Sequence, residues 1–243
     1  EEIAKKMCAK GKGILAADES TGTMDKRLKS VNVECTEKNR LAFRQTLFSS
    51  EAMKNFIGGV ILFDETIRQK TSLNMTIPEL IQKNDAVPGI KVDKGAKLLA
   101  GSSGETITEG LDGLRERLKE YYELGARFTK WRAVYKIGEK YPSSQSIKSN
   151  AHALARYAAM VQEAKMVPIV EPEVLMDGSH NIDQCYQVTT NVLNECYNEL
   201  ALHKVDLKGT VLKPNMIIPG SECANKVTSE EIAKKTLDCL KKN

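Results

Sequence analysis

Short apolar runs alternate along the chain with longer stretches whose apolar residues follow helical spacing. Runs such as 56–64 (FIGGVILFD) and 167–175 (VPIVEPEVL) are rich in β-branched residues and are bounded by turn-forming residues, as buried strands are. Six strands of this kind are predicted, at residues 12–18, 56–64, 87–94, 127–134, 167–175 and 209–213.

Helical patterns fill most of the intervals between these strands. Leu111, Leu114, Leu118 and Tyr121 share one face of a predicted amphipathic helix. Further helices are predicted at 1–12, at 36–49 with Thr36 as N-cap, at 151–165, in a long segment ending near Lys204, and after a capping box of Thr228 and Glu231. Residues 95–104 are predicted to form a loop.

Six βα units without a Pro/Gly/Ser-rich linker predict a single domain, residues 1–243, with a parallel sheet and helical crossovers. Charged residues lie inside the strands, near their carboxyl ends. Three pairs are two residues apart and therefore share a strand face, and two further charges stand alone: Lys91 and Asp93, Lys130 and Arg132, Glu171 and Glu173, then Asp18 and Lys213. The alternative is that these charges form separate structural ion pairs. That would account for one pair of residues with this spacing, but less well for three pairs at equivalent positions.

Charges inside strands require mutual compensation. A closed barrel brings the carboxyl ends of all its strands to one axis, which is where (β/α)8 barrels build active sites. We therefore predict an α/β fold of the (β/α)8 TIM-barrel type, incomplete here because only six βα units are present.

Lys213 is the last side chain before Pro214 ends the sixth strand. Burial at a strand end would disfavour the charged ammonium and leave a nucleophilic amine. The alternative is a lysine that extends its amine into water, which is the commoner situation for a lone lysine. The neighbouring ionisable residues favour the first interpretation.

Composition and motif content argue against several classes of function. The chain has 243 residues with a net charge of +4 spread along its length, which argues against a nucleic-acid partner. No apolar run reaches the ~18 residues needed to cross a bilayer, and no signal-peptide core is present. Six cysteines without framework spacing predict reduced thiols and a cytoplasmic location. Three histidines far apart in sequence give little support for a metal site, and no nucleotide-binding motif suggests a cofactor.

Five segments then carry a family resemblance: GKGILAADESTG at 11–22, IKVDKG at 90–95, KWR at 130–132, IVEPE at 169–173 and VLKPNM at 211–216. The chain resembles class I fructose-bisphosphate aldolase, the metal-independent, lysine-dependent type. The resemblance implies reversible cleavage of fructose 1,6-bisphosphate to dihydroxyacetone phosphate and glyceraldehyde 3-phosphate, in glycolysis and gluconeogenesis. It also implies a (β/α)8 barrel.

The resemblance assigns the catalytic roles. Lys213 would form the Schiff base, with Lys130 as a cationic neighbour that keeps its amine partly unprotonated by like-charge repulsion. Glu171 would move protons during imine formation, and Asp18 would take the C4 hydroxyl proton, although an aspartate there could instead cap the next turn.

It assigns supporting roles as well. Glu173 and Arg132 would support Glu171, and Asp93 would orient a lysine. The C6 phosphate would be held by Lys91, Ser20 and Thr23, the last of these standing where the family usually has serine.

The family's chain continues beyond the position of Asn243. It adds two strands, a Ser/Gly-rich loop and an arginine for the C1 phosphate, and a tail ending in a tyrosine. This chain alone is therefore expected to have little turnover and to expose unpaired edges on its first and sixth strands.

A homotetramer is implied for the full-length form. The alternatives are a non-catalytic binding form, for example with a cytoskeletal partner, and a different Schiff-base aldolase on the same barrel.

Overall fold

The computed structural model describes residues 1–225 and 227–243. Its main sheet has six strands, each hydrogen-bonded in parallel to the next, in the order β1-β2-β3-β6-β7-β8. These strands are β1 (Gly13–Ala17), β2 (Ile57–Leu62), β3 (Val87–Lys91), β6 (Phe128–Tyr135), β7 (Val167–Val174) and β8 (Val211–Leu212). The two strands between β3 and β6 in sequence are β4 (Ala96–Leu98) and β5 (Thr106–Thr108).

All six predicted strands are therefore confirmed, with ends that differ by a few residues. The order is that of successive βα units, as in a barrel, and the curled sheet is the incomplete (β/α)8 barrel that was predicted. Within the described residues, β1 and β8 each pair on one side only, so each leaves one edge unpaired.

Ten helices surround the sheet within the described part of the chain: α1 (Glu2–Met7), α2 (Thr21–Ser30), α3 (Glu37–Phe48), α4 (Glu51–Phe56), α5 (Asp64–Ile67), α6 (Ile77–Lys83), α7 (Leu114–Glu123), α8 (Ser144–Glu163), α9 (Ile182–Leu202) and α10 (Ser229–Lys242). Thr36 caps α3 as predicted, because its side chain accepts a hydrogen bond from the Asn39 amide at 3.2 Å. Among the helices that the structure describes, none combines the length and apolar character needed to cross a membrane.

Several boundaries differ from the predictions. The loop predicted at 95–104 is wrong in part, because β4 and β5 form an antiparallel hairpin that begins within it. Helix α8 begins seven residues before the predicted position, since Ser143 supplies an N-cap to the Ser146 amide. Helix α7 begins after Leu111. Only half of the predicted capping box is present at α10: Thr228 accepts from the Glu231 amide, and no return bond is found among the described residues.

The concave face of the sheet is divided along its axis. Near the amino ends of the strands it is apolar, with Met7 of α1 packed against Ile61, Phe128 and Ile169. Gly89 lies under the Phe128 ring so closely that a Cβ atom there would overlap it. Because side chains alternate along a strand, the same face continues from these apolar residues to the charged ones near the carboxyl ends.

The convex face packs against the helices. Trp131 is fully buried there and its ring lies 5.3 Å from that of Tyr157 on α8. This confirms the prediction that Trp131, between Lys130 and Arg132, points away from the charged face. The charged residues therefore lie on the concave side of the sheet, and the main hydrophobic core lies on its convex side.

Candidate active site

A cleft of about 860 Å³ opens at the carboxyl ends of the strands. Its size is typical of a small-molecule site. Seven of the predicted site residues line it: Asp18, Ser20, Thr23, Lys91, Asp93, Lys130 and Arg132. The cleft is also lined by Lys94, Arg68 and Arg117, and by the carboxylates of Glu19, Asp64 and Glu120, so its wall carries both signs of charge.

Four predicted catalytic residues form one continuous chain of ionic contacts. Lys130 donates a hydrogen bond to Oδ2 of Asp18 at 3.1 Å, and its Nζ lies 3.1 Å from Oε2 of Glu171. The other oxygen of Glu171, Oε1, accepts a hydrogen bond from Nζ of Lys213. The order Asp18–Lys130–Glu171–Lys213 thus alternates acid and base across strands β1, β6, β7 and β8.

The strand register explains the contacts that join adjacent strands. Lys91 pairs with Lys130 across β3 and β6, and Arg132 pairs with Glu171 across β6 and β7. Ile169 pairs with Val211, so two residues further on Glu171 stands beside Lys213. The contact between Asp18 and Lys130 does not follow from pairing, because β2 and β3 lie between β1 and β6, and it joins side chains across the concave face.

Lys213 differs from the prediction in two respects. It was predicted to be buried, but its side chain is 46% exposed because it extends from β8 at the edge of the sheet. Its direct contact is the anionic Glu171 rather than the ammonium of Lys130, since β7 lies between β6 and β8. The backbone is nevertheless held firmly: the Lys213 amide donates to the Val170 carbonyl at 2.9 Å.

Lys130 and Glu171 are the buried centre of the chain, with 6% and 3% of their surfaces exposed. Burial lowers the pKa of Lys130, but the carboxylates of Asp18, Glu171 and Asp93 outweigh it, so the pKa is raised overall. Lys130 is therefore a fixed ammonium at neutral pH. Oε2 of Glu171 is buried and accepts no hydrogen bond from the residues that the structure describes.

Two further ion pairs flank this centre. Lys91 donates to the Asp93 carboxylate at 2.6 Å and to the Asp93 carbonyl at 2.9 Å. The same carboxylate accepts from the amides of Gly95 and Arg132, so it is fixed from three sides. Arg132 donates through Nε to Glu173 at 2.6 Å, which makes Glu173 a partner of Arg132 rather than a direct contact of Glu171.

Ser20 and Thr23 lie at the amino end of α2, on the wall of the cleft. The Ser20 hydroxyl is 3.2 Å from that of Thr23 and accepts from the Thr23 amide at 3.4 Å. Ser20, and not Asp18, is thus the N-cap of this helix. Asp18 is left free to contact Lys130. Hydroxyls and amides at a helix amino end are suited to an anion.

Sequence reasoning missed two residues that position the site. Arg44 is fully buried and donates to the Thr66 hydroxyl at 2.8 Å and to the Glu19 carbonyl, which fixes the turn after Asp18. Asn215 accepts from the Val174 amide at 3.0 Å and donates to the Thr189 hydroxyl at 3.1 Å, which ties the segment after Lys213 to β7 and α9. The available signal for Arg44 was an arginine between Leu41 and Phe48 at helical spacing.

The histidines are not as dispersed as their sequence positions suggested. His152 and His203 lie together on the outer surface, with ring centroids 5.0 Å apart and Glu199 between them. His180 is buried elsewhere, after β7. Distance along the chain was therefore a poor argument against a metal site.

The parallel sheet, its helical crossovers and the ionic chain at the strand ends define a barrel-type protein with a lysine-centred site. Comparison with known proteins then identifies the family. The family model for class-I fructose-bisphosphate aldolase, named Glycolytic, matches residues 1–243. The chain belongs to the class I fructose-bisphosphate aldolase family.

Individual relatives of the chain are also fructose-bisphosphate aldolases by name. The chain is 54% identical over 240 residues to a probable fructose-bisphosphate aldolase class 1 of Xanthomonas axonopodis pv. citri, covering 99% of this chain and 72% of the relative. It is 56% identical over 232 residues to the cytosolic fructose-bisphosphate aldolase 6 of Arabidopsis thaliana, covering 96% of this chain and 64% of the relative.

A solved structure also matches. The Plasmodium falciparum fructose-bisphosphate aldolase, in complex with TRAP and a small-molecule inhibitor, superimposes with a TM-score of 0.97 at 44% identity, covering 99% of this chain and 70% of that one.

Proposed function

We propose that the cleft at the strand ends is an aldolase site, in which Lys213 forms a Schiff base with the ketone of fructose 1,6-bisphosphate. The contact between Lys213 and Glu171 is the observation that carries the proposal. Family membership supports the reaction, and the geometry supports the assignment of roles. The products are dihydroxyacetone phosphate and glyceraldehyde 3-phosphate, and the reaction belongs to glycolysis and gluconeogenesis.

The first step needs a neutral amine and a nearby acid. Transfer of one proton from the Lys213 ammonium to Glu171 supplies both, because the two groups are in hydrogen-bond contact. The amine then adds to the substrate carbonyl to form a carbinolamine. Glu171 returns its proton to the carbinolamine oxygen, which leaves as water, and a protonated imine remains.

The second step breaks the C3–C4 bond. Asp18 takes the C4 hydroxyl proton, the C3–C4 electrons move into the iminium, and glyceraldehyde 3-phosphate leaves an enamine behind. Lys130 holds Asp18 at 3.1 Å and keeps a positive charge beside both carboxylates. Protonation of the enamine and addition of water then release dihydroxyacetone phosphate and the free Lys213 amine.

Substrate orientation is assigned to the flanking groups. We propose that the C6 phosphate binds against Ser20, Thr23 and Lys91, all of which line the cleft. Asp93 orients Lys91 by two hydrogen bonds. The Arg132–Glu173 pair lies next to Glu171, because Arg132 is paired with Glu171 across β6 and β7.

The remaining expectations about the organisation of the protein are also proposals. We propose that residues 1–243 behave as one partial barrel domain and that the protein acts in the cytoplasm, as the names of its plant relatives state for them. A homotetramer and a cytoskeletal partner rest on the family resemblance alone. Sedimentation velocity and co-sedimentation with filaments test these two separately.

Borohydride trapping tests the lysine assignment. The protein is incubated with fructose 1,6-bisphosphate, reduced with sodium borohydride and digested for mass spectrometry. The expected result is a substrate-derived adduct on Lys213 and no adduct in Lys213→Met. Lys208→Met, in the short 3-10 helix Leu207–Gly209 that precedes β8, is the matched control and is expected to keep the adduct. An adduct that persists in Lys213→Met would overturn the assignment.

A further inference from the structure

A cluster of two histidines and a glutamate lies on the outer surface, away from the cleft. His152 is on α8, Glu199 is in the last turn of α9 and His203 is the C-cap residue of that helix. One donor atom from each residue lies within 4.8 Å of the others. Helices α8 and α9 run in the same direction and pack side by side, so the cluster is set on two regular elements rather than on a loop.

The contacts within the cluster converge on one carboxylate. Nδ1 of His152 is 3.0 Å from Oε2 of Glu199, and Nδ1 of His203 is 3.5 Å from the same oxygen. Donor atoms around a tetrahedral ion with bonds of ~2.1 Å are separated by ~3.4 Å. The distance between Nδ1 of His152 and Oε2 of Glu199 is close to this value. His152 is about half exposed, so its ring has room to rotate and close the remaining gap.

One histidine is already oriented by the backbone. Nδ1 of His203 lies 2.9 Å from the Glu199 carbonyl oxygen, which can only accept, so this nitrogen carries the hydrogen. Its Nε2 is then left with a lone pair. A backbone carbonyl in this position is a common second partner of metal-binding histidines. The negative end of the α9 dipole at the same place favours a cation.

We propose that His152, Glu199 and His203 form a binding site for Zn²⁺ that is separate from the aldolase site and takes no part in the reaction. Two imidazoles and one carboxylate suit Zn²⁺, Ni²⁺ or Cu²⁺, whereas Mg²⁺ and Ca²⁺ prefer oxygen donors alone. Solvent supplies the fourth ligand. The bound ion links α8 to α9 and stabilises the folded chain.

The nearest cysteine does not compete for the ion. Cys196 lies one turn before Glu199 on α9, but it is buried, and burial, helped by Glu199 and Glu195, raises the pKa of its thiol to about 12. Cys8, Cys35 and Cys223 are more accessible and must be separated from the histidine site by spectroscopy. The histidine site makes no use of a thiolate.

Calorimetric titration of the protein with Zn²⁺ tests the proposal. The expected result is one saturable site per chain with a dissociation constant in the micromolar range. His152→Ala and Glu199→Gln are each expected to weaken binding about tenfold or more, because each removes one ligand. Glu195→Gln is the matched control, one turn away on the same helix, and is expected to bind as the unaltered protein does. Circular dichroism without metal checks that all variants are folded.

Titration with Co²⁺ gives a second readout. Binding through nitrogen and oxygen produces d–d absorption without the intense thiolate charge-transfer band. Saturating Zn²⁺ is also expected to raise the unfolding temperature of the unaltered protein, and to raise it less in His152→Ala. The proposal is overturned if both ligand variants bind Zn²⁺ as the unaltered protein does, or if the cobalt spectrum shows thiolate ligation.

Discussion

At the scale of single residues, the site depends on the position of one carboxylate. Glu171 is nearly inaccessible to solvent and touches one lysine with each oxygen. The two contacts differ in consequence. Lys130 is buried and stays charged, whereas Lys213 is half exposed and can reach a substrate. Glu171 can therefore exchange a proton with Lys213 but not with Lys130.

Replacing this carboxylate tests its role. Glu171→Gln keeps the size of the side chain but removes the proton acceptor, so the rate of Schiff-base formation is expected to fall by about 100-fold. The measurement is the rate of borohydride-trapped adduct in a single turnover. Glu173→Gln is the control, and because Glu173 contacts Arg132 instead of Lys213, its rate should stay within about tenfold of the original. Equal losses in the two variants would contradict the assignment.

Lys130 makes a separate contribution to stability. Its removal leaves two carboxylates close together without their cation, and loss of one partner from a buried ion pair costs about 3 kcal/mol or more. Lys130→Met is therefore expected to lower the free energy of unfolding in urea by about that amount. Lys119→Met on the surface of α7 serves as the control and should leave the urea midpoint unchanged. A Lys130→Met midpoint equal to that of the control would argue that the contacts are energetically neutral.

At the scale of helices and strands, periodicity alone predicted the sheet well. Runs such as 56–64 are apolar on both faces, as the strands of a parallel sheet with helices outside must be. The β4–β5 hairpin was missed because Ala96–Leu98 is exposed throughout and carries no alternating pattern. The start of α8 was missed because its first two turns, SQSIKSN, are mostly polar, and because the capping Ser143 directly follows Pro142 and is read as part of a turn.

The link between β8 and its neighbours is the element on which Lys213 depends. Strand β8 has only two residues, and Asn215 joins the segment after it to β7 and α9. Asn215→Ala leaves the Val174 amide without its acceptor and is expected to cost about 1–3 kcal/mol of unfolding free energy. Adduct formation at Lys213 should slow in the same variant.

Urea unfolding and single-turnover trapping measure the two effects of this change. Asn194→Ala, at an exposed position of α9, is the control and should alter neither quantity. If Asn215→Ala lowers stability but traps substrate at the original rate, Asn215 stabilises the fold without positioning the lysine.

At the scale of the whole molecule, apolar and charged side chains occupy opposite ends of the concave face. Apolar side chains and α1 fill the end where the strands begin, and charged side chains occupy the end where they finish. The period of two made this division predictable, since Phe128, Lys130 and Arg132 must share a face. Which charge touches which could not be predicted, because it depends on the register between strands that are 30 or more residues apart in sequence.

The proximity of His152 to His203 could not be predicted from the sequence. His152 and His203 meet only because α8 and α9 pack side by side, and no local pattern at either residue carries that information. His180, by contrast, lies alone after β7 and is 4% exposed, with neither ring nitrogen bonded to any described residue. Burial lowers its pKa below the ordinary value of 6.5.

This buried imidazole makes the stability of the whole molecule depend on pH. As pH falls below 6.5, the unfolded chain binds a proton at residue 180 that the folded chain excludes, so the free energy of unfolding decreases until the lowered pKa of the folded state is reached. The slope from this one group cannot exceed about 1.4 kcal/mol per pH unit. Urea unfolding at several pH values measures it. His180→Asn is expected to be less stable at every pH but to lose this part of the slope, with its curve parallel to the original above pH 6.5. Parallel curves below pH 6.5 as well would show that His180 takes up its proton in the folded protein as readily as in the unfolded chain.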